Sequence, residues 1–118
     1  MLPTEEIMRV ELRVRNTDLT EALSDYIERR LRIAFGRLDE QVDRVRVKVS
    51  GLNGPRGGTR KSCRISVSFK PFGRVAVQET DLDLHSAIDR AANRVARLLS
   101  QRLEKAQALG RESEKLAA

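Results

Sequence analysis

The residues whose types and spacing could do chemistry are mostly cations, and they fall into two groups. Arg44, Arg46 and Lys48 alternate with Val45, Val47 and Val49, and Arg64 alternates with Cys63 and Ile65. Extended chain has a side-chain period of two, so these four cations share the outward face of strands whose valines point inward. Arg90, Arg94 and Arg97 recur at four and three residues, the spacing of one helix face, and Arg102 follows further along. Guanidinium and ammonium groups hold phosphate through charge-assisted hydrogen bonds but do not move protons at neutral pH. The chemistry on offer is therefore capture of a polyanion. With 23 Lys and Arg against 17 Asp and Glu, the net charge is +6, and nucleic acid is the commonest partner for a small domain so charged.

Groups that could make or break bonds are scarce. His85 is the sole histidine, and it falls in the first turn of a helix, where the protonated form is disfavoured. It reads as a packing or surface residue. Cys63 is the sole cysteine and lies on the inward side of a strand, so it reads as a small buried hydrophobe. A single cysteine also excludes an internal disulfide and a thiolate metal cluster. Asp81 and Asp83 read as helix caps, and no cluster of ligands suggests a metal or cofactor. The loop NGPRGG carries Arg56 among glycines, yet it lacks the GK[ST] ending of a nucleotide-binding loop and joins two strands. No enzyme, cofactor or small-molecule substrate is expected. The first residues show no signal-length apolar run, and no stretch is long enough to span a bilayer, which points to a cytoplasmic protein without a membrane partner.

The elements that must position these cations can be read in order. MRVELRVR alternates from Met8 to Arg15, with Val10, Leu12 and Val14 opposite Arg9, Glu11, Arg13 and Arg15. Asp18 or Thr20 can cap a helix in which Leu19, Ala22, Leu23, Tyr26, Ile27, Leu31 and Ala34 keep helical spacing up to Gly36. A second strand carries Val45, Val47 and Val49, and a third, SCRISVSF, turns Cys63, Ile65, Val67 and Phe69 inward. PFG is a turn into RVAVQET, with Val75 and Val77 inward. Asp81 or Asp83 then caps a helix whose stripe is Leu84, Ala87, Ile88, Ala91, Val95, Leu98, Leu99 and Leu103. Through Gln107 it is about 40 Å long, and it frays after Leu109 at Gly110. Aromatics are 3% of the chain, so the core is aliphatic. The fold class that follows is α+β, a two-layer β-α-β-β-β-α sandwich with a four-stranded sheet covered on one face by two helices. The first two strands should be parallel across the helix, and the last three antiparallel. Residues 1–7 form a leader, 8–109 a single domain and 110–118 a solvated tail.

That layout leaves one sheet face bare, with Arg9, Arg13, Arg15, Arg44, Arg46, Lys48, Arg64 and Lys70 projecting from it and only Glu11 opposing them. Like charges directly across strands destabilise a sheet, which argues for a partner. On the long helix no acid occurs between Arg90 and Arg102; Asp89, Glu28 and Glu104 are expected to make intrahelical pairs, and Arg29, Arg30, Arg32 and Arg37 add to the basic zone. The residues alone leave open a free-standing module for structured RNA and a basic protein–protein adaptor, and they do not say which face meets the partner.

The segments LTEALSDYIERRLRIAFGRLD and DLDLHSAIDRAANRVARLLSQRLEK, in this order of elements, resemble the ribosome hibernation-promoting factor family, also called ribosome-associated inhibitors or ribosomal subunit interface proteins. The resemblance covers about residues 8–107, with His85 where an aromatic is common and a longer NGPRGG loop than short members carry. It implies a non-catalytic translation inhibitor that binds the small ribosomal subunit and its rRNA in the messenger and transfer RNA channel, keeping idle ribosomes inactive under stress or in stationary phase. It carries the RNA-binding role onto Arg44, Arg46 and Lys48 and onto Arg90, Arg94, Arg97 and Arg102; Arg64 joins them from the strand-face reading. Long members add a C-terminal dimerisation domain, which this chain is expected to lack.

Overall fold

Strand, helix, three strands and a second helix follow one another as the hydrophobic spacing predicts. The computed structural model describes residues 9–53, 59–70 and 73–117, of which 52, 53, 59 and 111–117 are described by backbone alone. The expected leader, Arg56 with its glycine loop, and Pro71 and Phe72 of the PFG turn lie outside the described residues. β1 is Arg9–Arg15, α1 Glu21–Phe35, β2 Val42–Asn53, β3 Thr59–Phe69, β4 Gly73–Asp81 and α2 Leu84–Ala117. The sheet order is β1-β2-β3-β4, with β1 parallel to β2 and the other pairs antiparallel.

Local chemistry starts and stops each helix. The Thr20 hydroxyl accepts from the Leu23 amide at 3.1 Å and caps α1, so Thr20, not Asp18, is the cap. Gly36 ends α1 at φ 53°, a backbone angle open to glycine and costly for other residues. The chain does not loosen there. Residues Gly36–Gln41 wind into a 3-10 helix that leads directly into β2, which composition did not reveal. Asp83 caps α2, its carboxylate accepting from the Ser86 amide at 3.2 Å and hydroxyl at 2.8 Å. That hydroxyl holds the Asp83 carboxyl below the usual carboxylate range.

α2 packs on the inward faces of β3 and β4, with α1 beside it. Val45, Val47, Val49, Ile65 and Val67 meet Ile27, Leu31, Ile88, Val95 and Leu99 in a core with almost no water contact. Cys63 sits among them, and burial pushes its thiol up to about 12, which removes it as a nucleophile at neutral pH. Val10, Leu12 and Val14 remain half-buried at the sheet edge.

Gly110 does not end α2. The backbone stays helical to Ala117, where fraying was expected at the glycine. A lone glycine costs a helix only about 1 kcal/mol relative to alanine, too little to stop one already extended by its neighbours. Leu103 is the last buried side chain, and Glu104 to Gly110 are exposed, so α2 leaves the sheet and projects from it. No described helix is long and apolar enough to cross a membrane.

Candidate nucleic-acid interface

The strand register converts alternation into a two-dimensional map of the open face. Joining the three pairings gives four rows across the sheet: Arg9–Arg44–Ser68–Arg74, Glu11–Arg46–Ser66–Ala76, Arg13–Lys48–Arg64–Gln78 and Arg15–Ser50–Ser62–Thr80. Neighbouring members of a row stand about 4.5–5.5 Å apart at Cβ. Two shallow depressions lie between the rows. One is lined by Glu11, Arg13, Arg15, Arg46, Lys48, Arg64 and Ser66; the other includes Arg44, Arg74, Ser66, Ser68 and Ala76 together with Asp43, a second acid that the expectation of Glu11 alone did not include.

Glu11 is the one acid in these rows. Its carboxylate lies 3.3 Å from Arg46 and 3.7 Å from Arg44, across the parallel β1–β2 pair. These are exposed pairs, weak in water and screened by salt. They still split the face: Arg44 and Arg46 share an internal counter-charge, while Arg13, Lys48 and Arg64 have no ion pair among the described residues. Arg13 and Arg74 belong to this surface although neither was among the site residues read from the sequence. Arg13 was legible from its alternation, and Arg74 from its place one residue before inward Val75. Lys70 does not belong. It lies just past β3, with its amide tied to the Gln41 carbonyl at 3.0 Å.

The helix cations are on the opposite side of the molecule, so the structure does not assemble the eight predicted residues into one site. Arg90 donates to the Thr80 carbonyl at 2.6 Å and meets Asp81 at 3.0 Å; Arg94 meets Glu79 at 2.7 Å. The expectation that this row lacks acids held only along the helix. Val75, Val77, Glu79 and Asp81 share one face of β4, and continuing the alternation past Val77 places both carboxylates beneath the flank of α2. Arg97 and Arg102 are exposed and make no ion pair among the described residues.

Asp89 also departs from the expected intrahelical pairing. It reaches across to α1, accepting from the Tyr26 hydroxyl and from Arg30 Nε at 3.0 Å, while Arg30 Nη2 donates to Asn93 at 2.7 Å. The bond to Asp89 raises the Tyr26 pKa above its usual value. His85 packs edge-on against the Tyr26 ring, with centroids 4.5 Å apart. Arg30 thus serves to join two helices that the crossover sets side by side, and it is lost to the basic zone. Asp89→Ala should cost about 1–3 kcal/mol, since it strands a partly buried guanidinium and a tyrosine hydroxyl. Urea unfolding checks this, and Arg30→Ala in the same background should add little further loss.

The sequence matches the family described as sigma 54 modulation protein / S30EA ribosomal protein over residues 10–107. Among solved structures, a ribosomal subunit interface protein from Coxiella burnetii superposes with a TM-score of 0.70 at 14% identity, covering 82% of this chain and 99% of that one. The N-terminal domain of Protein Y from Thermus thermophilus superposes with a TM-score of 0.60 at 28% identity, covering 80% of this chain and 98% of that one. Comparison with curated protein sequences gives no significant match.

Proposed function

Because the chain belongs to the sigma 54 modulation protein / S30EA ribosomal protein family, we propose that it is a non-catalytic translation inhibitor acting on the ribosome. It occupies the messenger and transfer RNA channel of the small subunit and keeps idle ribosomes inactive under stress or in stationary phase, in the cytoplasm. The observation that carries this reading is the open face of the sheet. Seven arginines and a lysine project there against Glu11 and, at the start of β2, Asp43, on an aliphatic scaffold with no paired nucleophile and base among the described residues. Of the two basic zones, this one is favoured as the main contact with rRNA, because the helix zone is partly neutralised by Glu79, Asp81 and Asp89. The resemblance of the Coxiella burnetii and Thermus thermophilus proteins to this fold supports the assignment.

Binding through phosphates releases counterions, so log affinity should fall linearly with log salt, by about 0.7–0.9 per phosphate neutralised. With few aromatics to stack on bases, shape and charge carry the recognition. The test is sedimentation of a stationary-phase lysate through sucrose. The chain should travel with small subunits at low salt, leave them as salt rises, and be displaced by messenger and transfer RNA bound first. Recovery in the free-protein fraction at low salt would overturn the reading. Equal affinity for a plain RNA duplex would replace it with a general RNA-binding role.

A further inference from the structure

Most arginines near an acid in this protein use it. Arg44 and Arg46 flank Glu11, Arg90 lies against Glu79 and Asp81, Arg94 against Glu79, and Arg30 against Asp89. The row Arg13–Lys48–Arg64 behaves otherwise. Its members stand directly opposite one another on three neighbouring strands, in the one run of three adjacent cations among the described rows. None of the three makes an ion pair among the described residues, the nearby Glu11 carboxylate lying against Arg44 and Arg46, and like charges at such positions weaken a sheet. Arg15 lies one row further along β1, and all four border the same depression, of about 440 Å3, which Glu11, Arg46 and Ser66 also line. That volume is in the range of small-molecule sites, and the five cations that border it, against the single carboxylate of Glu11, leave an excess of positive charge that suits a short phosphate chain.

We infer that the Arg13–Lys48–Arg64 row with Ser66 is a discrete subsite for a compact oligophosphate, the contiguous phosphates of a polyphosphate chain or of a nucleoside polyphosphate. The inference rests on the open face being the polyanion-binding face. It adds that a small ligand competes there with rRNA, so that ribosome binding responds to the level of such a ligand. Phosphate oxygens would accept from Arg13, Lys48, Arg64 and the Ser66 hydroxyl, and no covalent step is involved. Because the row is self-repelling when empty, filling it stabilises the fold by linkage.

The experiment is thermal unfolding and calorimetric titration of the full chain with inorganic tripolyphosphate, against orthophosphate at matched ionic strength. Tripolyphosphate should bind once, saturably, and raise the unfolding temperature, with orthophosphate at least about tenfold weaker. The double variant Lys48→Gln/Arg64→Gln should unfold at a higher temperature than the parent when empty, because the repulsion is gone, and bind tripolyphosphate at least about tenfold more weakly. Arg29→Gln/Arg32→Gln, which removes two exposed α1 cations and keeps the same net charge as the first variant, should leave binding unchanged. Equal effects of tripolyphosphate and orthophosphate, or equal losses in the two variants, would overturn the inference. A nucleoside triphosphate run in parallel assigns the source: tighter binding than tripolyphosphate means the nucleoside is recognised, and equal binding means the phosphate chain suffices. Small-subunit sedimentation is scored separately, so a chain that binds subunits but not tripolyphosphate loses this inference alone.

Discussion

Changing Arg44, Arg46, Lys48 and Arg64 together to glutamate is expected to lower affinity for small ribosomal subunits about 1,000-fold near ~100 mM salt. Four exposed contacts to phosphate at about 1 kcal/mol each amount to about 4 kcal/mol, which is about that factor. The slope of log affinity against log salt should flatten by about 3–4, since four phosphates keep their counterions. Folding should survive, because all four side chains point away from the core; the new carboxylates meet Glu11, Asp43 and, at the directly paired positions 48 and 64, each other, and repulsion between exposed charges of this kind is weak and screened by salt. The matching change on the helix, Arg90 and Arg94 to glutamate, should behave differently. Those arginines already hold Glu79 and Asp81, so reversal sets acid against acid and costs stability, up to about 1 kcal/mol for exposed pairs. Its effect on subunit affinity should be about tenfold or less. Filter binding across a salt series, with urea unfolding of each variant, checks both halves. A larger affinity loss from the helix pair would move the interface to the other side of the protein.

The largest effect on stability is expected from Leu99→Ala, at about 2–5 kcal/mol. Leu99 is fully buried where α2 crosses the sheet, and its neighbours are aliphatic residues already in close contact. A core of valines, isoleucines and leucines has short, stiff side chains that cannot swing into the space left behind, so the cavity persists. Set against the ~5–15 kcal/mol that holds a domain together, this is a large share. Leu109→Ala is the internal comparison. It lies ten residues further along the same helix, yet beyond the sheet and 57% exposed, and its loss should stay within about 0.5 kcal/mol. Urea unfolding of the two variants side by side measures how much of α2 the domain needs for its fold. If Leu109→Ala costs as much as Leu99→Ala, the projecting part of α2 is packed against something in solution.

What the amino-acid sequence determined by itself was everything that depends on local periodicity. Alternation in β1, β2 and β3 decided which residues face inward, because a strand has only two faces. The leucine and alanine stripe of α2 decided that it is a helix and which side is buried, and Gly36 marked the end of α1, while the cap of each helix was narrowed to two candidates, from which the structure takes Thr20 over Asp18 and Asp83 over Asp81. The open-face cations were legible for the same reason.

Only the tertiary structure decided which charges remain available. Glu79 and Arg94 are 15 positions apart, and Asp89 and Arg30 are 59 apart. Their meeting depends on the angle and offset at which α2 lies on β4 and α1 lies beside it, and packing sets these while side-chain spacing within one element does not. The same holds for Arg13, Lys48 and Arg64, which are remote in the chain and become neighbours only through strand register. A one-residue slip would have scattered them to opposite faces. Nor could the glycine at position 110 reveal by its type alone that α2 continues, since helix termination there is a small local preference working against an already extended helix.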